Sequence, residues 1–285
     1  MPSAATVNPA APRNTRGYTA IVLAGKRPGI DPVAAAHGQT YKALVEIDGI
    51  PMLTRVVKAL SQSAQINDIV IVHAEDLGPI ENIPGLSDAF SDKTYSSSAA
   101  QSTISDSVLT AMESQPSAHR FLVTTSDHAL LTAEMVDDFL NEAETHSGIN
   151  IAFVDKAVIE AAHPGMRRTY LRFKDAEISG ANLFAINGSE GRNAVSFFQR
   201  IEQNRKRPWK MISQFGVLNL IGFALHLFTL VTAFRRVSKR LNCSVRPVML
   251  SHANAAVDVD KLSDLETVKS IIEDGKYTAR RDEKS

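Results

Sequence analysis

The sequence predicts an α/β fold: a three-layer sandwich with helices on both faces of a mostly parallel central sheet. Three observations carry this. Short apolar runs alternate with amphipathic segments through the first half of the chain. The 285 residues, 44% hydrophobic and 22% charged, suffice for one large buried core. Two apolar runs end directly on Gly25 and Asp127, and parallel sheets bind ligands beyond the carboxyl ends of their strands.

The elements follow in order. Met1 to Gly17 is rich in Ala, Pro and Asn and lacks the charged start and apolar centre of a secretion signal, so a disordered tail is expected. Tyr18–Leu23 reads as a buried strand. Met52, Leu53, Val56, Val57 and Leu60 lie at helical spacing, with Pro51 at the first helical position. Asp68–Val72 and Phe121–Thr125 are strands, and Ser102–Met112 is a helix. Thr132 is placed to cap a helix that continues through Met135–Leu140.

The second half is less regular. Strands are expected at Thr169–Phe173 and Ala181–Ile186 around a Lys174–Asp175 turn, and a helix from Asn187 to Arg205. Trp209 to Leu241 reads as further helices broken near Gly216 and Gly222. A strand at Ser244–Leu250 and a terminal helix at Leu262–Ile272 complete the pattern. One domain over 18–275 is expected, with a helical insertion at about 188–242 and a loose tail at 276–285.

Composition narrows the function classes. The 31 basic and 31 acidic residues cancel, which argues against a dedicated nucleic-acid binder. A single cysteine, Cys243, rules out an intrachain disulfide and a cysteine zinc cluster, and fits a reducing cytoplasm. Val217 to Phe234 contains no charged residue and runs into Arg235–Arg236–Val237–Ser238–Lys239–Arg240. Asn219, His226, Thr229 and Thr232 weaken it as a membrane span, so buried or homodimer-forming helices are expected. The alternative is a peripheral contact of 217–240 with anionic lipid at the inner face of the membrane.

Candidate chemistry concentrates after the strands. Leu23, Ala24, Gly25, Lys26, Arg27 and Gly29 form a small, glycine-bearing, cationic loop that can bring N–H groups to a phosphate chain; the alternative is a tight turn. Lys42 adds a point charge for the same phosphates. Asp127, at the end of an apolar strand, is placed to hold a metal at the sheet rim or to serve as a turn aspartate. Asp258 and Asp260 alternate along an extended segment and share one side, and the pattern does not separate them. His128 reads as a neighbouring polar residue, because no second histidine sits at ligand spacing. Ser102, Ser105 and Ser107 stand at a helix start, where hydroxyls cap or contact a ligand. Arg167, Arg168 and Tyr170 form one cluster for an acceptor phosphate; Arg205–Lys206–Arg207 reads as surface charge.

These segments together resemble the MobA-like NTP transferases, nucleotidyltransferases of the GT-A-like, Rossmann-related fold. The resemblance rests on Leu23–Gly29, Lys42–Ala43–Leu44, Gly49–Ile50–Pro51–Met52–Leu53, Asp127–His128–Ala129–Leu130, Gly180–Ala181–Asn182–Leu183 and Asp258–Leu265. It implies transfer of a nucleoside monophosphate from an NTP to a phosphorylated small-molecule or lipid-precursor acceptor, with release of pyrophosphate. It implies Mg2+ on Asp127 with Asp258 or Asp260, Asp258 being favoured, and Lys26, Arg27 and Lys42 offsetting phosphate charge. It places Ser102, Ser105 and Ser107 toward the nucleobase and Arg168, Tyr170 and Asn182 at the acceptor.

The chain departs from the family pattern at three points. Lys26 stands where glycine is frequent, the loop is extended from Ile30 to Thr40, and Ala129 replaces a proline. Two alternatives stay open. One is a glycosyltransferase of the same fold, which usually wants two close acidic residues where Asp127–His128–Ala129 offers one. The other is a non-catalytic nucleotide-binding protein, suggested by the irregular loop.

Overall fold

A computed structural model describes residues 17–26, 29–203 and 225–274. Arg27, Arg205–Arg207, Trp209, most of the expected N-terminal tail and the expected loose end at 276–285 lie outside the described residues.

The chain begins with β1 (Tyr18–Ala24), a short α1 (Pro32–Ala36), the small antiparallel pair β2 (Glu46–Ile47) and β3 (Ile50–Pro51), and α2 (Met52–Gln62). It continues through β4 (Ile66–His73), α3 (Leu86–Ala89), β5 (Thr94–Ala99), α4 (Ile104–Glu113), β6 (Arg120–Thr125) and α5 (Ala133–Ala143). Next come β7 (Gly148–Asp155), α6 (Lys156–Ala162), β8 (Leu171–Arg172), β9 (Glu177–Asn187) and α7 (Gly188–Gln203). The described chain closes with α8 (Leu230–Leu241), β10 (Val245–Leu250) and α9 (Leu262–Glu273).

The main sheet runs β10-β7-β9-β6-β1-β4-β5, with β8 paired to β9. β1 pairs in parallel with β4 and β6, β4 with β5, and β10 with β7. β9 runs antiparallel to β6, β7 and β8. The sheet is therefore mostly parallel, as expected, with a reversed strand between two parallel groups.

Central position explains the strand compositions. β1 is flanked on both sides and covered on both faces, so nearly every residue from Tyr18 to Ala24 is buried and the run is apolar but for a buried Thr19. One face of the sheet packs on α2 and α5 through Leu53, Val57, Leu60, Val136, Phe139 and Leu140. The other face packs on α4 and α7 through Ile21, Val70, Val108, Met112, Phe121 and Val195. Thr103 and Thr132 cap α4 and α5, each accepting from the backbone N–H three residues on.

A third cluster positions the site. Val257, Val259 and Leu265 pack with Ala129, Leu130, Val33 and Met52, which clamps the segment before α9 onto the turn after β6.

Several boundaries differ from the sequence reading. Pro51 is the N-cap of α2 and belongs to β3, so the helix starts one residue later than expected. Thr169–Phe173 contracts to the exposed two-residue β8, and the strand expected at Ala181–Ile186 belongs to the eleven-residue β9. β5, β7 and α6 are additional elements. Among the described residues no helix is long and apolar enough to cross a membrane.

Gly148, where β7 begins, has φ +90, and a Cβ there would lie 2.2 Å from the Ser244 carbonyl oxygen. That oxygen already accepts from Ile149 N at 2.8 Å, so it is not free to move. Gly165 has φ +81 but open space around it. Gly148→Ala should cost at least about 2 kcal/mol more than Gly165→Ala in denaturant unfolding, because only the first adds a steric clash to backbone strain.

Candidate active site

Three loops converge at the carboxyl end of the parallel strands. Ser126 N donates to Leu23 O at 3.0 Å, joining the turn after β6 to the end of β1. Val259 N donates to Asp127 O at 3.1 Å, joining that turn to the segment before α9. Lys42, in the single turn Lys42–Leu44, places Nζ 2.5 Å from Asp127 Oδ2 and 3.1 Å from Asp260 Oδ1. Asp258 is held separately: Arg168 donates to Oδ1, and Asn182 Nδ2 donates to Oδ2 at 2.8 Å.

Local structure explains each placement. Asn182 sits at an irregularity in the β7–β9 ladder, with φ +50. Asparagine tolerates the left-handed region, and a bulge re-aims a side chain, here onto Asp258. The cap of α9 comes from Asp264, whose Oδ2 accepts from the N–H groups of Asp260 and Lys261 at 3.0 and 2.9 Å. Asp260 therefore has no capping duty and its carboxylate is available to Lys42.

The phosphate-loop candidates lie at the end of β1. Among the described residues, a Cβ at Gly25 would meet only Ala100 Cβ, at 3.5 Å, an ordinary contact. Lys26 is exposed, its ammonium 5.5 Å from the ring centroid of Tyr41. Tyr41 is buried and donates to Asp76; burial, reinforced by that carboxylate, pushes its hydroxyl up to about 12. The Tyr41–Asp76 pair escaped the sequence reading, whose only signal was an aromatic residue beside Lys42.

The serines differ in circumstance. Ser107 is buried, accepting from Gln101 N at 2.8 Å and donating to Thr103 O at 2.9 Å, so its hydroxyl shapes the turn before α4. Ser102 donates to Asp106, which also accepts from Thr103 and from Gln199 of α7. These bonds, Thr103 first, hold the Asp106 carboxyl below its usual range. Ser105 lies in the first turn of α4.

Charge at the rim is close to balanced. Asp127, Asp258 and Asp260 face Lys42 and Arg168, which leaves one net negative charge. Burial would lower the Lys42 ammonium, but Asp127 and then Asp260 outweigh it and hold the pKa above the ordinary value. Burial would raise Asp258, but the Arg168 bond and charge, with Asn182, hold it below the usual carboxylate range. His128 is buried beside them, and burial pushes its pKa down to about 4, so it is neutral at physiological pH.

Several buried polar atoms here lack a hydrogen-bond partner: Asp127 Oδ1, Thr125 Oγ1, Arg168 Nε and the Tyr170 hydroxyl. Each such atom costs free energy unless water or a ligand fills the gap. Asp127 Oδ1 is a carboxylate oxygen at the sheet rim, and hard divalent cations bind such donors. Asp258 keeps acceptor capacity beyond its two bonds, since a carboxylate offers about four lone-pair sites. By residue chemistry Asp127 and Asp258 are candidate ligands for a hard divalent cation. Among the described residues, the one group of three metal-ligating side chains within 4.8 Å of one another is Glu134, Asp138 and His252.

The family model for the MobA-like NTP transferase domain matches residues 20–198, more than half of the chain. The chain belongs to this family. It is a nucleotidyltransferase, and its substrates include a nucleoside triphosphate. No curated protein matches it in sequence. Among solved structures, a hypothetical transferase from Thermus thermophilus has 27% identity and a TM-score of 0.70, covering 87% of this chain and 99% of its own. A CMP:2-keto-3-deoxy-manno-octonic acid synthetase complexed with CTP has 14% identity and a TM-score of 0.55, covering 91% and 100%. The 4-diphosphocytidyl-2C-methyl-D-erythritol synthase of Anaerococcus prevotii has 11% identity and a TM-score of 0.57, covering 90% and 96%. The last two establish the shared fold alone.

The transferase's buried histidine gives a pH signature. Unfolded, His128 takes up a proton near 6.5; folded, only near 4. Acidification through that window favours the unfolded chain, so stability is full above 6.5 and falls toward 4. Without added metal, the loss should be at most on the order of 3 kcal/mol and should flatten in His128→Gln, read from urea midpoints against pH. Asp258 acts in the same direction but at lower pH, below its ordinary 3.8.

Proposed function

We propose that this MobA-like transferase moves a nucleoside monophosphate from an NTP onto a phosphorylated acceptor, releasing pyrophosphate. The observation that supports this best is Lys42 bridging Asp127 and Asp260, with Lys26 of the loop after β1 over the ring of the adjacent Tyr41. Family membership favours an NTP over a nucleotide-sugar as donor.

In this reading the N–H groups around Gly25, with Lys26 and Arg27, hold the triphosphate. Lys42 places its ammonium against the phosphate that carries the developing charge. An acceptor phosphate oxygen attacks the α-phosphorus, the bond from that phosphorus to the bridging oxygen breaks, and pyrophosphate leaves with the electron pair. No general base is required, because the acceptor phosphate is already an anion. Asp127 and Asp258, with Asp260 as the other candidate, would hold Mg2+, which neutralises charge on the triphosphate and the departing pyrophosphate. Arg168, Tyr170 and Asn182 bind and orient the acceptor. Ser102 and Ser105 face the nucleobase, and Ser107 sets the turn that presents them.

Pyrophosphate release, measured with each of the four NTPs over a panel of sugar, polyol and lipid-headgroup phosphates, tests the reading; no release with any pair would overturn it. A nucleotide present at a hundred times its Kd should stabilise the protein by about 2.7 kcal/mol. Asp127→Asn should reduce turnover at least about a hundredfold with the fold intact by circular dichroism; full activity would refute its role. Lys42→Ala should weaken NTP binding roughly 10- to 100-fold in calorimetry and leave the bare nucleoside nearly unaffected. Equal losses for both ligands would remove the phosphate role.

A further inference from the structure

Charge along this chain is segregated. From Gln203 to Val257 there is no aspartate or glutamate, against nine lysines and arginines. The whole chain balances at 31 and 31, so the remainder carries nine excess negative charges. Within the described part of this stretch, α8 turns Leu230, Ala233, Phe234 and Val237 against the sheet, where the Phe234 ring meets Phe153 at 5.7 Å. Its outer side is Val231, Arg235 and Lys239, one turn apart and exposed, with Arg236 and Arg240 beside them. Leu225 and Leu227 lead into the helix, and both are 61% exposed, as is Val231.

The pattern exceeds what the helix itself needs. Cations near a helix C-terminus offset its dipole, but only Lys239 and Arg240 lie in the last turn. Arg236 stacks over Phe228 at 4.3 Å. Arg235, Lys239 and Arg240 have no carboxylate partner among the described residues. An exposed apolar cluster next to unopposed cations is costly in water and matched at an anionic bilayer, whose surface attracts the cations while its interface takes the apolar side chains.

We propose that this face docks the enzyme on an anionic lipid surface through Leu225, Leu227 and Val231 with Arg235, Lys239 and Arg240. A second copy fits less well, because a two-fold contact through this face would set these cations against their own copies. A nucleic acid would satisfy the cations and leave the leucines in water. The face is tied to the acceptor side of the fold: Lys174 N donates to Phe228 O at 2.9 Å and Leu230 N to Asp175 Oδ1 at 2.8 Å, both in the turn between β8 and β9. β9 also carries Asn182. The docking does not depend on the proposed reaction.

Co-sedimentation of the full chain with vesicles tests it, comparing phosphatidylcholine alone with phosphatidylcholine containing phosphatidylglycerol. Binding is expected to the anionic vesicles only and to weaken as salt rises. The triple variant Arg235→Gln, Lys239→Gln, Arg240→Gln should lose about a hundredfold in partitioning, at about fivefold per cation. Leu225→Ser with Leu227→Ser and Val231→Ser should also release the protein. Both variants should keep wild-type melting temperature and NTP binding, which separates loss of docking from loss of fold or of the nucleotide site. No binding to anionic vesicles, equal binding to neutral ones, or unchanged binding by either variant overturns the proposal. So does a dimer that the charge variant strengthens without vesicle binding, or preference for single-stranded DNA over vesicles.

Discussion

The ammonium of Lys42 between two carboxylates is the contact on which the rest of the site depends. It joins positions 85 and 218 residues apart in the chain. The Lys42 and Asp127 side chains are only 18% and 14% exposed. At that depth an unpaired charge is expensive, and each group supplies the other's counter-charge. Removing the lysine would leave Asp127 with one oxygen already unpartnered and the other newly so.

From that pairing the site divides into two sides along one extended segment. Asp260 reaches Lys42, which also holds Asp127, on the side of the Gly25 loop. Asp258, two residues earlier, reaches Arg168 and Asn182, the side of β8 and β9. Val259 between them is fully buried, and its N–H bonds the Asp127 carbonyl. Alternation along an extended chain therefore anchors one residue in the core and spreads its neighbours over two partner sets. The reversed β9 matters here. It brings Asn182 to the rim from a strand running against its neighbours, where only a local break in the ladder can aim the amide at Asp258.

How much of this was legible follows from where the signal lies. β1, α2 and β6 were readable because burial on both faces or along one stripe writes a strong hydrophobic pattern. β5 was not: Thr94–Ala99 is an edge strand of half-buried serines, and its pairing with β4 stabilises it without an apolar code. β7 carries apolar Ile149, Ile151 and Phe153, yet its run is interrupted by a fully buried Asn150. Gly25, Lys42 and Asp127 could be named from their places after strands and from the family pattern. The separate duties of Asp258 and Asp260 could not, since period two puts both on one side. Tertiary partners set that difference: Asp264 takes the cap, and Arg168 takes Asp258. The Tyr41–Asp76 bond spans 35 residues and has no local signature at all.

A net charge of zero also hid more than it revealed. It excludes a uniformly basic protein and is silent on distribution, which here is strongly uneven. The consequence for the proposed reaction is physical. A triphosphate approaching Asp127, Asp258 and Asp260 meets a rim that Lys42 and Arg168 do not fully neutralise. Repulsion falls only as further positive charge enters with it, from Lys26, from Arg27 or from a divalent cation bound to the phosphates. Under the proposed reaction, nucleotide and metal would lower each other's electrostatic cost, and by linkage the affinity of each would rise with the other present. A rim with one carboxylate fewer would bind the triphosphate more readily alone and would lose that coupling.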